Sequence, residues 1–321
     1  MSLTLWRLFR SALDTKASVF HFHDPELIPV GMMLKLLGKR VVYDVHEDVP
    51  ADILDKSWIP PSLRWPIARA AAWTEALAAR RFDAIVAATP VIAHSFPKAK
   101  TLTVQNFPQQ DVQLNAELTS YCEREPLVVY VGGISKHRGA REMIEAIALL
   151  GDSAPARLQL AGFFDPPESQ QEMASEPGWS RVDFFGWLSP PEVGELLRKS
   201  RLGLVVLHAT ECYKVSQPLK LFEYMSAGLP VVASDFPLWR PIIEKAGCGL
   251  LVDPMNPAAI AEAIRWLLER PAEAKAMGQR GRDAIRRVYN WENEEQKLFE
   301  LYARLMDGNS LQTDCQTTSH A

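Results

Sequence analysis

Short apolar runs alternate with stretches of helical apolar spacing along most of the chain. In the C-terminal half, six runs predict strands that are too apolar to face water on one side: Leu127–Val131, Arg157–Leu160, Val182–Phe185, Leu202–Leu207, Pro230–Ala233 and Gly249–Val252. Asn256 followed by Pro257 predicts an N-cap and the first residue of a helix. This alternation predicts consecutive βα units and one doubly wound parallel sheet.

The N-terminal part has the same pattern but is shorter. It predicts four strands, Ser18–Phe22, Arg40–Asp44, Ala84–Ala88 and Thr101–Val104, and a long helix at Leu63–Arg81. A Rossmann-like half opens with a strand and a glycine-containing turn, and nothing before Ser18 supplies either. We therefore expect a first domain that is incomplete at its N-terminus.

Changes in patterning predict the domain boundaries. Polar residues and a lack of periodicity mark an interdomain linker. The predicted order is an N-terminal domain at 1–108, a linker at 109–125, a C-terminal domain at 126–288, a helix at 289–306 and a disordered tail at 307–321. A length of 321 residues also favours two domains.

Composition excludes several classes of protein. Apolar residues make up 47% and charged residues 23%, and the net charge of −4 gives no overall footprint for nucleic acid. Four cysteines with no CxxC pair argue against a structural zinc site. Without an apolar run of membrane-spanning length or an export signal, the pattern predicts a cytoplasmic protein.

A glycine pair with basic residues follows the strand at Leu127–Val131. Glycines let the backbone approach a ligand, and the following helix N-terminus offers free N–H groups. Charges close to such a turn suit a diphosphate, so the candidate residues are Gly132, Gly133, Lys136 and Arg138. The alternative is an ordinary βα turn with solvated basic side chains.

A second candidate segment begins a predicted helix at Pro218. Ser216 and Lys220 would lie near its N-terminus and hold phosphate, while Glu223 would accept hydrogen bonds from the hydroxyls of a ribose. The alternative is an exposed ion pair between Lys220 and Glu223.

Histidines and carboxylates cluster after the first two predicted strands. The candidates are His21, His23, Asp24, Glu26, Asp44, His46 and Glu47. Imidazole and carboxylate are common zinc ligands, but the same groups also hydrogen-bond sugar hydroxyls. Single histidines at such places can also be purely structural.

Several of these segments carry a family resemblance. PLKLFEYMSAGLPVVASD followed by AGCGLLVDP resembles retaining glycosyltransferases of family 4, which have the GT-B fold. The likeness extends to GGISKHRGAREMIEAI, FFGWLSPPEVGELL, HFHDPEL and YDVHED, in the family's order, and covers roughly residues 18–306. It is most similar to enzymes of bacterial capsule, exopolysaccharide or lipopolysaccharide assembly.

The resemblance implies an α/β protein with two Rossmann-like domains facing a cleft. The second would hold a nucleotide diphosphate sugar, with UDP favoured over GDP, and the first an acceptor. Arg138 matches a position against the diphosphate, Glu223 one at the ribose, and His46 one that reaches the transferred sugar; Phe185 lies in the segment that holds the base. We expect transfer with retention, a catalytic set of His46, Arg138 and Lys220, and no metal or further cofactor.

The sequence also departs from the family pattern. The first glutamate of the E-x7-E motif falls on Val215, and an arginine of the glycine loop falls on Gly133. Lys136 and Lys220 are the candidates to compensate for the missing cation. These departures keep two alternatives open, a degenerate GT-B protein that binds a nucleotide or a partner, and a sugar-nucleotide epimerase.

Basic residues lie among tryptophans in the N-terminal part. Residues 1–108 carry 13 Lys and Arg against 10 Asp and Glu, and the aromatic set includes Trp6, Trp58, Trp65 and Trp73. Such a mixture suits contact with an anionic lipid surface, so we expect peripheral contact at the inner face of the membrane and a lipid-linked or saccharide acceptor. The alternative is a core-facing aromatic set with solvated arginines.

Overall fold

The computed structural model describes residues 3–56, 58–109, 121–151 and 154–307. They form two compact units: unit 1 is Met1–Asn106 with Asn293–Ala321, and unit 2 is Phe107–Glu292. The helix predicted as a separate C-terminal segment therefore groups with unit 1. Residues 110–120 of the predicted linker and 308–321 of the predicted tail lie outside the described residues.

Each unit is built on a parallel sheet. In unit 1 the strand order is β1-β2-β3-β4, and in unit 2 it is β10-β9-β8-β5-β6-β7. The strands are β1 (Val19–Phe22), β2 (Arg40–Val45), β3 (Ala84–Ala87), β4 (Thr101–Thr103), β5 (Leu127–Val131), β6 (Arg157–Ala161), β7 (Val182–Gly186), β8 (Leu202–Val205), β9 (Val231–Ser234) and β10 (Gly249–Val252).

Helices connect the strands. They are α1 (Leu3–Asp14), α2 (Ile28–Leu36), α3 (Val49–Asp55), α4 (Pro61–Arg81), α5 (Pro90–Ala93), α6 (Ala140–Leu150), α7 (Ser169–Ala174), α8 (Pro190–Lys199), α9 (Glu211–Val215), α10 (Leu219–Ser226), α11 (Arg240–Ala246), α12 (Pro257–Glu269), α13 (Pro271–Arg287) and α14 (Trp291–Asp307). None of the helices in the described ranges is both long and apolar enough to cross a membrane.

Strand β5 occupies the central position in unit 2. It pairs with β6 on one side and with β8 on the other, so the strand order reverses there. Successive connections leave the sheet on opposite faces at such a reversal, and this opens a crevice beyond the carboxyl ends of the strands. The loops after β5 and β8 therefore border the place where a doubly wound sheet binds its ligand.

The predicted elements are confirmed with small shifts of their ends. All ten predicted strands are present, and Leu127–Val131 and Gly249–Val252 match residue for residue. The Asn256 side chain accepts hydrogen bonds from the N–H groups of Ala258 and Ala259, both at 3.1 Å, which confirms the predicted N-cap. Strand β8 ends at Val205 because the chain leaves the sheet before the apolar run is over.

Candidate functional site

The glycine loop after β5 brings bare backbone to the crevice of unit 2. Gly132 has a φ of +122°, a conformation that favours glycine. A β-carbon added to Gly162, which follows β6, would lie 1.9 Å from the Gly132 carbonyl oxygen. The two loops therefore pass each other with no room for a side chain, and this shapes a surface that a ligand can approach closely.

Two cations lie against this loop. A β-carbon added to Gly132 would lie 3.2 Å from Lys220 Nζ, and one added to Gly133 would lie 3.2 Å from an Arg138 guanidinium nitrogen. Arg138 Nε also donates to the Tyr213 hydroxyl at 3.3 Å. The structure thus brings together four residues that the sequence nominated, Gly132, Gly133, Arg138 and Lys220.

Lys220 is a buried lysine. Its side chain lies in the first turn of α10, the residue is 9% exposed, and Nζ is 3.6 Å from the centroid of the Tyr130 ring. Within the described part of the chain, Nζ has no hydrogen-bond partner. Burial lowers the pKa of Lys220 well below its ordinary value, and the neighbouring Arg138 charge lowers it further. The alternative of an exposed ion pair is therefore wrong for Lys220.

The other candidates of unit 2 lie around this centre. Glu223 is half-buried on α10, where burial raises the pKa of its carboxyl and Lys220 opposes that shift. Ser216 precedes α10 and donates to the Tyr213 carbonyl oxygen at 3.4 Å. Phe185 is exposed in β7, and Lys136 is exposed in the turn after β5. Among the described residues, none of these four forms a hydrogen bond or a close ion pair with Arg138 or Lys220.

Sequence reasoning missed the side chains that brace the glycine loop. The Tyr130 hydroxyl donates to the Gly133 carbonyl oxygen at 2.6 Å. Behind the loop, His208 Nε2 lies 3.0 Å from a Glu142 carboxylate oxygen, and both residues are 8% exposed. The backbone N–H of His208 also donates to the His137 carbonyl oxygen at 2.9 Å. This hydrogen bond connects the loop after β8 to the loop after β5. Tyr130 lies within an apolar strand, so the sequence carried no signal for this role.

A second cluster forms in unit 1, where β1 and β2 are parallel neighbours. Asp44 Oδ2 lies 3.2 Å from His21 Nε2, 3.2 Å from His23 Nδ1 and 3.5 Å from His46 Nε2. His23 Nδ1 and His46 Nε2 are 3.0 Å apart. Four of the seven residues nominated at the ends of these strands therefore meet around one carboxylate oxygen.

Further contacts hold this cluster in place and set its charges. His21 Nδ1 hydrogen-bonds the Tyr302 hydroxyl of α14 at 2.6 Å, and His46 Nδ1 lies 3.4 Å from Asn106 Nδ2. Burial alone would raise the pKa of Asp44, but hydrogen bonds from His21 and His46 outweigh it and lower that pKa to about 2. The hydrogen bond to Asp44 in turn raises the pKa of His46.

The remaining three candidates of unit 1 do not meet at the Asp44 carboxylate oxygen, although the charges of Glu47 and Asp24 act on His46. Asp24 and Glu26 are exposed around the turn Pro25–Leu27, and neither is among the residues that meet at Asp44. Glu47 is exposed next to His46, and a hydrogen bond with Asp52 raises the pKa of its carboxyl.

Glu47 instead lines a cavity of about 300 Å³ inside unit 1. The lining is Val45, Glu47, Asp48, Pro50, Ala72, Glu75, Ala76, Ile92, Ser95 and Phe96. Glu75 is buried and accepts a hydrogen bond from the Tyr43 hydroxyl at 2.8 Å, and burial raises the pKa of its carboxyl. The cavity thus carries three carboxyl groups and no basic side chain, which suits a ligand rich in hydroxyl groups better than an anion.

Both units match family models. The model described as "Glycosyl transferases group 1" matches residues 119–284, and the "Glycosyl transferase 4-like domain" model matches residues 1–100. The putative glycosyltransferase EpsD of Bacillus subtilis is 24% identical over 95% of this chain and 82% of its own length. The D-rhamnosyltransferase WbpZ of Pseudomonas aeruginosa is 25% identical over 90% of this chain and 74% of its own length.

Solved structures show the same architecture. Anabaena HepE in complex with UDP-glucose superposes with a TM-score of 0.70 at 16% identity, over 93% of this chain and 81% of HepE. Sucrose-phosphate synthase from Thermosynechococcus elongatus superposes with a TM-score of 0.72 at 20% identity, over 95% of this chain and 78% of that one. These likenesses confirm the expected α/β fold with two Rossmann-like domains.

Replacing Lys220 by methionine tests whether the buried ammonium is held there at a cost to stability. Methionine fills a similar volume without a charge, so we expect Lys220→Met to leave the free energy of unfolding unchanged or to raise it by about 1 kcal/mol. Urea unfolding at neutral pH measures this.

Lys214→Met is the matched control, because Lys214 is a half-exposed lysine paired with Glu211 at 2.7 Å. Its effect should stay within about 0.5 kcal/mol. A loss of several kcal/mol in Lys220→Met alone would mean that the ammonium has a structural role.

Proposed function

The chain belongs to the glycosyl transferases group 1 family, and we propose that it transfers a glycosyl group from a nucleotide diphosphate sugar to an acceptor hydroxyl with retention of configuration. The observation that carries the proposal is the pair of cations against the glycine loop. Lys220 presents a buried ammonium with no acceptor in the described residues, and Arg138 lies beside it. Cations and a free backbone N–H such as that of Gly133 are groups that bind a diphosphate.

The residues take the following roles in this proposal. As the bond to the sugar breaks, negative charge grows on the leaving diphosphate, and donors that are already in place stabilise it at no cost of reorganisation. Arg138, Lys220 and the Gly133 N–H supply those donors, whereas the Gly132 N–H already donates to the Ala161 carbonyl oxygen at 2.9 Å. Glu223 accepts hydrogen bonds from the ribose, and His46 of unit 1 acts on the transferred sugar.

The donor is proposed to be a UDP-sugar and the reaction to need no divalent metal. HepE, a structural neighbour, was solved with UDP-glucose. The two cations can balance the charge of the diphosphate, which is the role of a metal ion in transferases that use one. We propose that the reaction takes place at the inner face of the membrane and belongs to cell-surface polysaccharide assembly, because the sequence resembles enzymes of that process.

Arg138→Ala tests the donor site. Loss of one charged donor to the leaving group should lower kcat/KM about 100-fold or more, and weaken UDP binding about 10-fold, since a charge-assisted hydrogen bond contributes about 1.5–3 kcal/mol. Turnover with UDP-sugars and calorimetric titration with UDP measure the two effects.

Arg141→Ala is the control for this experiment, because Arg141 lies on the adjacent helix α6 and pairs with Glu172 and Glu176. Its kinetics should stay within a factor of two. Equal behaviour of the two variants would refute the assignment of Arg138, and loss of turnover in excess EDTA would refute metal independence. The anomeric configuration of the product, read by NMR, tests retention.

The cavity of unit 1 is proposed to receive the hydroxyl-bearing end of the acceptor. Ala76 lines it and Ala70 on the same helix does not. Ala76→Phe should fill the cavity and raise the acceptor KM at least 10-fold while the affinity for UDP stays unchanged. Ala70→Phe should change neither constant, and an unchanged acceptor KM in Ala76→Phe would place the acceptor elsewhere.

Unit 1 is also proposed to contact anionic lipid. On α4, Trp65 and Trp73 are 64% and 69% exposed, and the Arg69 guanidinium lies 5.4 Å from the centroid of the Trp65 ring. On α1, Trp6 is exposed and Arg10 lies 5.9 Å from its ring. These tryptophans face solvent, so the core-facing alternative is wrong for them, and paired arginine and tryptophan suit a lipid headgroup region.

A double variant tests this contact. Trp65→Ser with Trp73→Ser should lose most of its sedimentation with phosphatidylserine vesicles at low salt, whereas Trp187→Ser, which removes a 62% exposed tryptophan of unit 2, should not. No sedimentation of the unchanged protein, or equal loss in both variants, would remove the membrane proposal.

A further inference from the structure

We propose that His21, His23, Asp44 and His46 form a site for a transition-metal ion of the zinc type, and that occupancy of this site inhibits glycosyl transfer. The inhibition rests on the proposed function, whereas binding does not. A zinc ion bound here would act as an inhibitor, so the proposal is compatible with glycosyl transfer that needs no metal.

The three imidazole nitrogens lie from Asp44 at the spacing that zinc requires. Zinc binds imidazole nitrogen and carboxylate oxygen at about 2.0–2.2 Å, so two ligand atoms on a tetrahedral ion lie about 3.3 Å apart. The distances from Asp44 Oδ2 to His21 Nε2, His23 Nδ1 and His46 Nε2 are 3.2, 3.2 and 3.5 Å. One atom each from His21, His23 and Asp44 lies within 4.8 Å of the others. His46 is outside that group of three and would join it through Nε2, which lies 3.0 Å from His23 Nδ1.

The outer contact of His21 is the kind that a metal ligand makes. A histidine ligand usually uses its other ring nitrogen in a hydrogen bond that orients the imidazole. His21 offers Nε2 to the cluster and bonds Tyr302 through Nδ1 at 2.6 Å. His46 differs, because its Nδ1 lies 3.4 Å from Asn106 Nδ2, which is a donor. The His21 ring is therefore oriented as a ligand before any ion arrives.

The donor types select the ion. Three imidazoles and one carboxylate suit zinc and its neighbours in the first transition row, whereas magnesium and calcium prefer oxygen ligands. The His23 and His46 side chains are 60% and 39% exposed, which gives an ion a direct path from solvent. Asp44 is 8% exposed and supplies a carboxylate at the base of the cluster.

Inhibition follows from the identity of one ligand. His46 Nε2 lies 3.0 Å from His23 Nδ1, so an ion held by His23 and Asp44 would also take the lone pair of His46. A metal-bound imidazole cannot serve the transferred sugar, the role proposed for His46. Zinc should therefore lower turnover without weakening UDP binding in unit 2.

The test measures zinc on the full chain, freed of tags and stripped with a chelator. Competition with a chromophoric chelator should show one zinc per chain for the unchanged protein and no magnesium binding. His23→Gln and His21→Gln should each weaken zinc binding by 100-fold or more. His94→Gln is the control, because His94 is exposed in unit 1 outside the cluster and should leave zinc affinity unchanged.

Tyr302→Phe tests the site without removing a ligand, in case the ligand variants fail to fold. It removes only the hydroxyl that orients His21, and should weaken zinc binding by about 10-fold with an unchanged circular dichroism spectrum. Equal zinc affinity in the His23→Gln, His21→Gln and unchanged proteins would overturn the site. Full turnover with zinc bound would overturn the inhibition. No turnover in the metal-free protein would count against the proposed function. In that case the zinc-binding measurement would still test the site.

Discussion

Parallel pairing of the strands is the constraint on which both functional clusters depend. Parallel neighbours are joined by crossovers, so all carboxyl ends of a sheet lie at one edge. In unit 2 this places the glycine loop after β5 beside the point where the strand order reverses. In unit 1 it brings His23, just beyond β1, next to His46, just beyond β2. Residues separated by 23 positions meet because two parallel strands are hydrogen-bonded in register.

The buried ionisable groups at these two edges differ in whether they have hydrogen-bond partners. Lys220 is buried against the Tyr130 ring, and its ammonium finds no hydrogen-bond acceptor among the described residues. Asp44 is equally buried but is surrounded by imidazoles, which lower its pKa to about 2. An unpaired buried charge is costly, and such costs are concentrated where function requires them. A paired one can stay ionised and organise its neighbours, as Asp44 does for three histidines.

Rigid support connects these residues to the core. Tyr130 bonds the Gly133 carbonyl, and the buried contact between His208 and Glu142 lies where the loop after β8 meets the loop after β5. Tyr302 reaches His21 from α14, at the far end of the sequence. Groups held in this way stay in place as charge develops on a ligand, and this preorganisation makes electrostatic stabilisation effective.

The sequence by itself determined the strands, the doubly wound pattern and most of the residue types at the two sites, because apolar periodicity and glycine placement are local signals. It could not determine that Lys220 is buried with no hydrogen-bond partner among the described residues, while Glu223, three residues later, is only half-buried. The sequence also could not show which of the seven candidates of unit 1 come together. Asp44 and the three histidines meet, whereas Asp24, Glu26 and Glu47 do not join them. Burial and distance across strands depend on packing between segments far apart in the chain, so only the tertiary structure decided them.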